Sequence, residues 1–173
     1  RPGVELRHVT QLEDLPALRQ VTKRVGVVAT IQTGERECSA GQALRITAES
    51  IACCAWQSES IMQQLLRYTQ ALFTHMAQTS ACNRHHALDQ KLCRWLLLNL
   101  DRRDGNEMIV TQEQIAEMLG VRRESVTASA LKLQKAGLIQ YRRGRLCVLD
   151  RTGLEARSCE CYSVVRQAYD RQL

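Results

Sequence analysis

The chain has 173 residues, enough for one ordinary domain or two small ones, and it can bury a core without staples. Hydrophobic residues make up 45% and charged residues 24%, as in ordinary globular proteins; aromatics at 4% argue against a large all-β fold and against a stacking platform for single-stranded nucleic acid. The net charge of +6 is unevenly spread, because Arg122–Arg145 holds seven basic residues against Glu124 alone and the remainder sums to neutral. A neutral body with one basic element points to a polyanion docked at one place.

No apolar run approaches the ~18 residues of a membrane span, and no signal peptide is visible. The expected location is therefore the cytoplasm, with no membrane partner. The chain begins at Arg1 rather than Met, so it is read as a fragment, a processed product or a sequence lacking its true start.

In chain order, residues 1–56 read as a small or incomplete β-rich unit, with short strands at 5–10, 24–31 and 42–46 and one or two helical turns at 14–21. Gly26, Gly34 and Gly41 punctuate it. From Ser58 to Cys82 the pattern is helical. Leu65, Leu72 and Thr79 repeat every seven residues, as do Ile61, Tyr68, His75 and Cys82. A second apolar edge, Met62, Leu66, Phe73 and Met76, lies beside that seam. One face is expected to meet a partner subunit and the other the helix's own domain. The dimer seam is assigned to Ile61, Leu65, Tyr68, Leu72 and His75.

A second helix is expected from Ala87 to Leu100, with Leu88, Leu92, Trp95, Leu96 and Asn99 on one face and Leu97, Leu98 and Leu100 widening it. A polar loop, Asp101–Glu107, ends it, and Met108–Val110 reads as a short strand. Thr111-Gln-Glu-Gln114 then fits a capping box, in which the Thr caps the Gln amide and the Gln reaches back. Ile115, Met118 and Leu119 are expected to face inward, Ala116 to permit close helix crossing, and Gly120 to end the helix. Val121 plugs the angle before the next helix, Arg123–Lys135, which buries Val126, Ala130 and Leu133. Gly137 closes that helix. Leu138–Tyr141 and Leu146–Leu149 form a hairpin around Arg142-Arg-Gly-Arg145.

This order is that of a winged helix-turn-helix, and the polyanion expected for it is duplex DNA. A helix fits the major groove with its N-terminal residues at the base edges. Arg123 suits guanine and Glu124 the cytosine amino group, so with Thr127 they are the base-reading set. Arg122, Ser125, Lys132, Arg142, Arg143 and Arg145 are the phosphate-contacting set.

Residues 58–150 resemble the Crp/Fnr superfamily of bacterial transcription regulators. The resemblance rests on the long helix, on Leu92-Cys-Arg-Trp-Leu-Leu-Leu98, on Thr111 to Val126, on Lys132-Leu-Gln-Lys-Ala-Gly-Leu-Ile139 and on the Arg142–Arg145 wing. It implies homodimers joined along the long helix, two-fold-related operator halves, and base reading by Arg123 and Glu124. RNA polymerase stands as a further candidate partner. Three departures are visible. Ala128 stands where such regulators often carry another Arg, Arg122 stands where the recognition helix often has a Ser or Thr cap, and only about 57 residues precede the long helix. Gly34-Glu-Arg36 matches the family's phosphate-cradling cassette only superficially, so no cyclic-nucleotide pocket, and no cofactor, is expected.

The fold expectation is mainly α with small β parts. It comprises a partial β-roll sensor region over 1–57, a long dimerisation helix over 58–86, a winged helix-turn-helix over 87–150 and a C-terminal amphipathic helix over 151–173. That last helix is expected from Thr152, with a Thr152-x-x-Glu155 capping box and a stripe of Leu154, Cys161, Val165, Ala168 and Tyr169. It packs back on the winged domain or the long helix, the alternative being a partner.

The eight cysteines sit mostly on apolar stripes, where a free thiol behaves as a small hydrophobe, and no disulfides are expected. Cys82, His85, His86 and Cys93 fall within twelve residues but lack the paired spacing of a zinc site. Cys159 and Cys161 would point apart on one helix, and no clustered set suits an iron–sulfur centre. No metal and no enzymatic activity are expected. The alternative function is a winged-helix protein-interaction module that no longer reads DNA.

Overall fold

The computed structural model describes residues 48–172. The strands expected at 5–10, 24–31 and 42–46, the turns at 14–21 and the Gly34 segment lie outside the described residues. Ala48–Gln57, included in the β-rich reading, is instead a helix, α1. Its run of Ala, Cys and Ile carries no Gly or Pro to break it. Ser58 then takes an extended conformation and caps α2, Glu59–His85, by accepting from the Ile61 amide. At 27 residues α2 is roughly 40 Å long. Arg84 and His85 in its last turn suit the negative end of the helix dipole.

Helix α3, Leu88–Leu100, follows after His86 and Ala87. The Ala87 amide donates to Gln90 Oε1 at 3.2 Å, which satisfies one of the orphan donors at the helix start. Leu92, Leu96 and Leu97 are fully enclosed, and Cys93, Arg94, Leu98 and Leu100 are buried with them, so α3 is buried nearly all round from Leu92 onward and forms the centre of the core. Each such leucine stabilises the fold by about 1.5–3 kcal/mol relative to leaving it in water.

Around α3 lie α4 (Gln112–Leu119), α5 (Arg123–Lys135), a small sheet and α6 (Arg151–Arg157). The strands β1 (Glu107–Ile109), β2 (Ile139–Arg142) and β3 (Arg145–Val148) form an antiparallel sheet in the order β1-β3-β2. Leu146 pairs with Met108 on one side and Tyr141 on the other. Alternation along the strands turns Met108, Ile139, Leu146 and Val148 into the core.

The C-terminal region differs from the single helix expected. Asp150, not Thr152, is the cap of α6, accepting from the Gly153 amide at 2.9 Å. A turn at Ser158–Glu160 then breaks the chain before α7, Cys161–Gln172. Both Ser158 backbone and side-chain donors bond back into α6, closing its end. The expected stripe survives the break: Leu154, Cys161 and Val165 are buried, and α7 lies along α2 with contacts to α3 as well. His75 of α2 meets Tyr169 of α7 edge to face, and Gln78 meets Cys161, so the two helices run antiparallel.

The two faces of α2 are thus distinct. Ala71 and Cys82 are buried and His75 is engaged by Tyr169, whereas Leu66, Phe73 and Met76 are exposed, Phe73 at 66%. Of the residues expected on a dimer seam, His75 is taken up inside the chain, because the register of α7 places Tyr169 over it. No helix among the described residues is long and apolar enough to cross a membrane.

Candidate nucleic-acid interface

Helix α4 starts with the capping box read from the sequence. Thr111 Oγ1 accepts from the Gln114 amide at 3.2 Å, and Gln114 Oε1 accepts from the Thr111 amide at 2.8 Å. Gly120 ends the helix in the left-handed region, at φ 63°, which L-residues adopt only with strain. The Val121 amide then donates to Ala116 O at 3.0 Å, and its side chain packs on the core between the helices. Ile115 and Ala116 are buried as expected, but Met118 is 56% exposed. It lies in the last turn of α4 with most of its side chain in solvent, so the inward assignment is corrected.

Helix α5 buries Val126, Ser129, Ala130 and Leu133 and exposes Arg122, Arg123, Glu124, Ser125 and Ala128 at or beside its N-terminal end. Arg122 is the N-cap and makes no side-chain capping bond, so its guanidinium is free to point outward. Arg123 Nε stands 4.0 Å from Glu113 Oε2 of α4, with both side chains more than half exposed. Such a pair is worth at most about 1 kcal/mol and does not hold Arg123 away from another acceptor. Thr127 Oγ1 donates to Gln112 Oε1 at 2.7 Å and lies 3.1 Å from Arg123 O, so this half-buried hydroxyl also ties α5 to the first turn of α4.

Lys132 stands apart from the other cations. Its Nζ is 2.9 Å from Asp89 Oδ2 at the start of α3. Burial works against the Asp89 carboxylate, yet hydrogen bonds from Ser129 and Lys132 bring its pKa below the usual value. Lys132 therefore anchors α5 to α3.

The wing turns through Arg143 and Gly144, both at positive φ, 52° and 76°, with Arg142 and Arg145 paired across the ladder. Two left-handed residues in a two-residue loop match the right-handed twist of the strands. The wing is braced from behind. Tyr141 Oη donates to Val110 O at 2.8 Å, the Tyr141 amide donates to Gln134 Oε1 at 2.7 Å, and the Val110 amide donates to Gly144 O at 2.9 Å. Arg122, Arg142, Arg143 and Arg145 are exposed and make no ion pair among the described residues. The structure thus sets four bare guanidinium groups on the recognition-helix start and the wing, with Arg123 and Glu124 beside them.

Residues 90–157 match the family of the Crp-like helix-turn-helix domain. The chain carries a Crp-like helix-turn-helix domain. Among solved structures, a chain from Eubacterium rectale described as a candidate transcriptional regulator of the Crp/Fnr family is similar at 26% identity and a TM-score of 0.51. The match covers 65% of this chain and 52% of that one. FixK2 from Bradyrhizobium japonicum shares the fold at 16% identity and a TM-score of 0.56, over 66% of this chain and 60% of its own. The Crp-like chain therefore spans roughly half to three fifths of the length of these structures. No curated protein matches.

Three features of the structure were not visible from local sequence. Gln112 and Glu113 approach α5 only because α4 crosses it, and Asp89 reaches Lys132 from 43 residues away. The third is a cluster formed by Cys82, His86, Cys159 and Cys161, whose ligand atoms all lie within 4.8 Å of one another. Of the group considered from spacing alone, His85 is exposed and Cys93 is buried elsewhere, its thiol pushed up to about 11 by that burial.

Proposed function

We propose that the chain is a sequence-specific, duplex-DNA-binding transcription regulator of Crp/Fnr type that acts as a homodimer. The observation that carries this reading is the set of unpaired guanidinium groups at the start of α5 and on the wing, on one Crp-like domain. In this reading α5 enters the major groove. Arg123 and Glu124 read base edges, and the Thr127 methyl lies against the base stack while its hydroxyl stays with Gln112. Arg122, Ser125, Arg142, Arg143 and Arg145 hold phosphates, and Lys132 contributes only if it leaves Asp89.

The dimer contact runs along the outward side of α2. Leu66, Phe73 and Met76 form its centre, with Ile61, Leu65 and Leu72 at its margin. An exposed apolar stripe on one side of a long helix, opposite the side already packed on α7, is what a second copy would cover. Two domains so joined meet half-sites about one helical turn, ~34 Å, apart.

Selection of bound duplexes from a random pool tests the reading. Wild type is expected to enrich a two-fold-symmetric site, and Arg123→Ala to lose or relax one base pair in each half. A folded dimer that enriches nothing would overturn DNA reading in favour of a protein-interaction module. Sedimentation of Phe73→Glu tests the seam separately: it is expected to be monomeric, and an undiminished dimer would exclude this face.

A further inference from the structure

The junction of α2, α6 and α7 holds a constellation that DNA recognition does not use. Cys82 and His86 lie one turn apart at the C-terminal end of α2, and His86 is its extended C-cap. Cys159 lies in the turn after α6, and Cys161 is the first residue of α7. The chain separation between the two halves is 77 residues, yet Cys82 Sγ is 3.5 Å from Cys159 Sγ and Cys161 Sγ is 3.4 Å from His86 Nδ1. We propose that Cys82, His86, Cys159 and Cys161 form a structural binding site for one zinc ion, which fastens the end of the long helix to the C-terminal helix.

The geometry suits a single tetrahedral ion. With Zn–S about 2.3 Å and Zn–N about 2.0–2.1 Å, the edges of a Cys3His tetrahedron are roughly 3.5–3.8 Å. Two of the edges stand at 3.5 and 3.4 Å, and all four ligand atoms lie within 4.8 Å of one another, so closing on one ion needs shifts of about 1 Å. A cluster of several irons bridged by sulfide would need its thiolates farther apart.

Three neighbours of the four ligands support the assignment independently. His86 Nε2 lies 3.1 Å from Glu160 Oε1, so the carboxylate holds the proton on that nitrogen and leaves the Nδ1 lone pair facing the sulfurs. A carboxylate behind a ligating imidazole is the common means of fixing its tautomer and raising its basicity. Gln78 Nε2 donates to Cys161 Sγ at 3.1 Å, as an amide does to a thiolate. Arg94 is a buried cation with no ion pair among the described residues, and its Nε has no hydrogen-bond partner. Three thiolates and a dication sum to one negative charge, which Arg94 balances. With four protein ligands the site keeps no open position, so it is structural rather than catalytic.

The test uses the full chain, purified under reducing conditions and titrated with cobalt(II) as a spectroscopic stand-in for zinc. One equivalent is expected to bind with thiolate-to-metal charge-transfer and tetrahedral d–d absorption, and zinc to displace it one for one. Cys159→Ser is expected to lose that spectrum, whereas Cys93→Ser, a buried thiol outside the cluster, is expected to keep it. His86→Cys is expected to retain one equivalent with a shifted d–d band, which guards against a variant that merely fails to fold. The proposal is overturned if wild type shows no thiolate charge transfer, if Cys159→Ser binds as wild type does, or if metal-free protein carries a Cys82–Cys159 disulfide that reduction does not convert to a cobalt site.

Discussion

At the winged end, Arg122, Arg142, Arg143 and Arg145 stand exposed without ion-pair partners among the described residues, and hydrogen bonds of Tyr141 with Gln134 and Val110 brace the wing behind them. At the α2–α7 junction the reverse holds. Arg94 is buried against Thr79, His75 faces Tyr169, Gln78 faces Cys161, and His86 faces both Cys161 and Glu160. Bare surface charge costs the fold little and stays available to a partner. Inward polar groups fix how elements sit and are closed to a nucleic acid. Binding and stability should therefore separate cleanly between the two regions when residues are changed.

The largest effect is expected beneath the recognition helix, where the two properties meet. Leu133→Ala removes a side chain 1% exposed and should cost about 2–5 kcal/mol in urea denaturation. Its DNA affinity should fall only as far as the unfolded fraction dictates. If affinity were lost with stability intact, the underside of α5 would be doing more than packing. Arg123→Ala should show the opposite pattern, about 1–3 kcal/mol lost from specific binding and an unchanged melting temperature. A drop in melting temperature would mean that its contact with Glu113 is structural, and the contrast between the regions would fail there.

His75 sharpens the comparison from the junction side. Burial, with Arg102 and Arg94 adding repulsion, lowers its pKa from 6.5 to about 4. The unfolded chain thus takes up a proton near pH 6.5 that the folded chain refuses until about pH 4. This contribution to stability is complete above pH 6.5 and is lost as pH falls through that window. Because the ring is partly exposed, solvent screening reduces the effect to on the order of 1 kcal/mol. Denaturation at pH 7 and pH 5 should differ less in His75→Gln than in wild type, and an equal difference would remove His75 as the cause. The smallest change is Arg143→Asn, which keeps a residue tolerant of positive φ at the wing tip. Affinity should weaken alike for all sequences, with the salt slope reduced by about 1. Base-dependent weakening would make the wing a reader.

How much of this was legible in the sequence follows from the range over which each feature is encoded. The capping box at Thr111–Gln114, the Gly120 stop, the buried face of α5 and the Arg143-Gly144 turn depend on residues within one or two turns of each other, and they were readable. The break before α7 was hidden because Leu154, Cys161 and Val165 keep a helical spacing across it, so periodicity alone could not show the turn. Met118 was misassigned because the apolar pattern does not tell which side α5 will approach. Cys82 and Cys159 carried no common signal at all, since their proximity exists only once α7 has folded back on α2. The two faces of α2 were both visible as stripes. Which one belongs to the chain itself was decided by Tyr169, far along the sequence.

Helix α7 runs antiparallel to α2, from Cys161 beside Gln78 to Tyr169 beside His75 and within electrostatic reach of Tyr68. The stretch Glu59–Arg67 lies beyond those contacts, at the end of α2 that adjoins α1. Helical segments of that length are marginal in water without a packed face, and they open first where packing is least. Amide hydrogen exchange along α2 should therefore run as a gradient, slow near Cys82 and fast near Glu59. The fast half should slow as protein concentration rises, while the half under α7 stays constant.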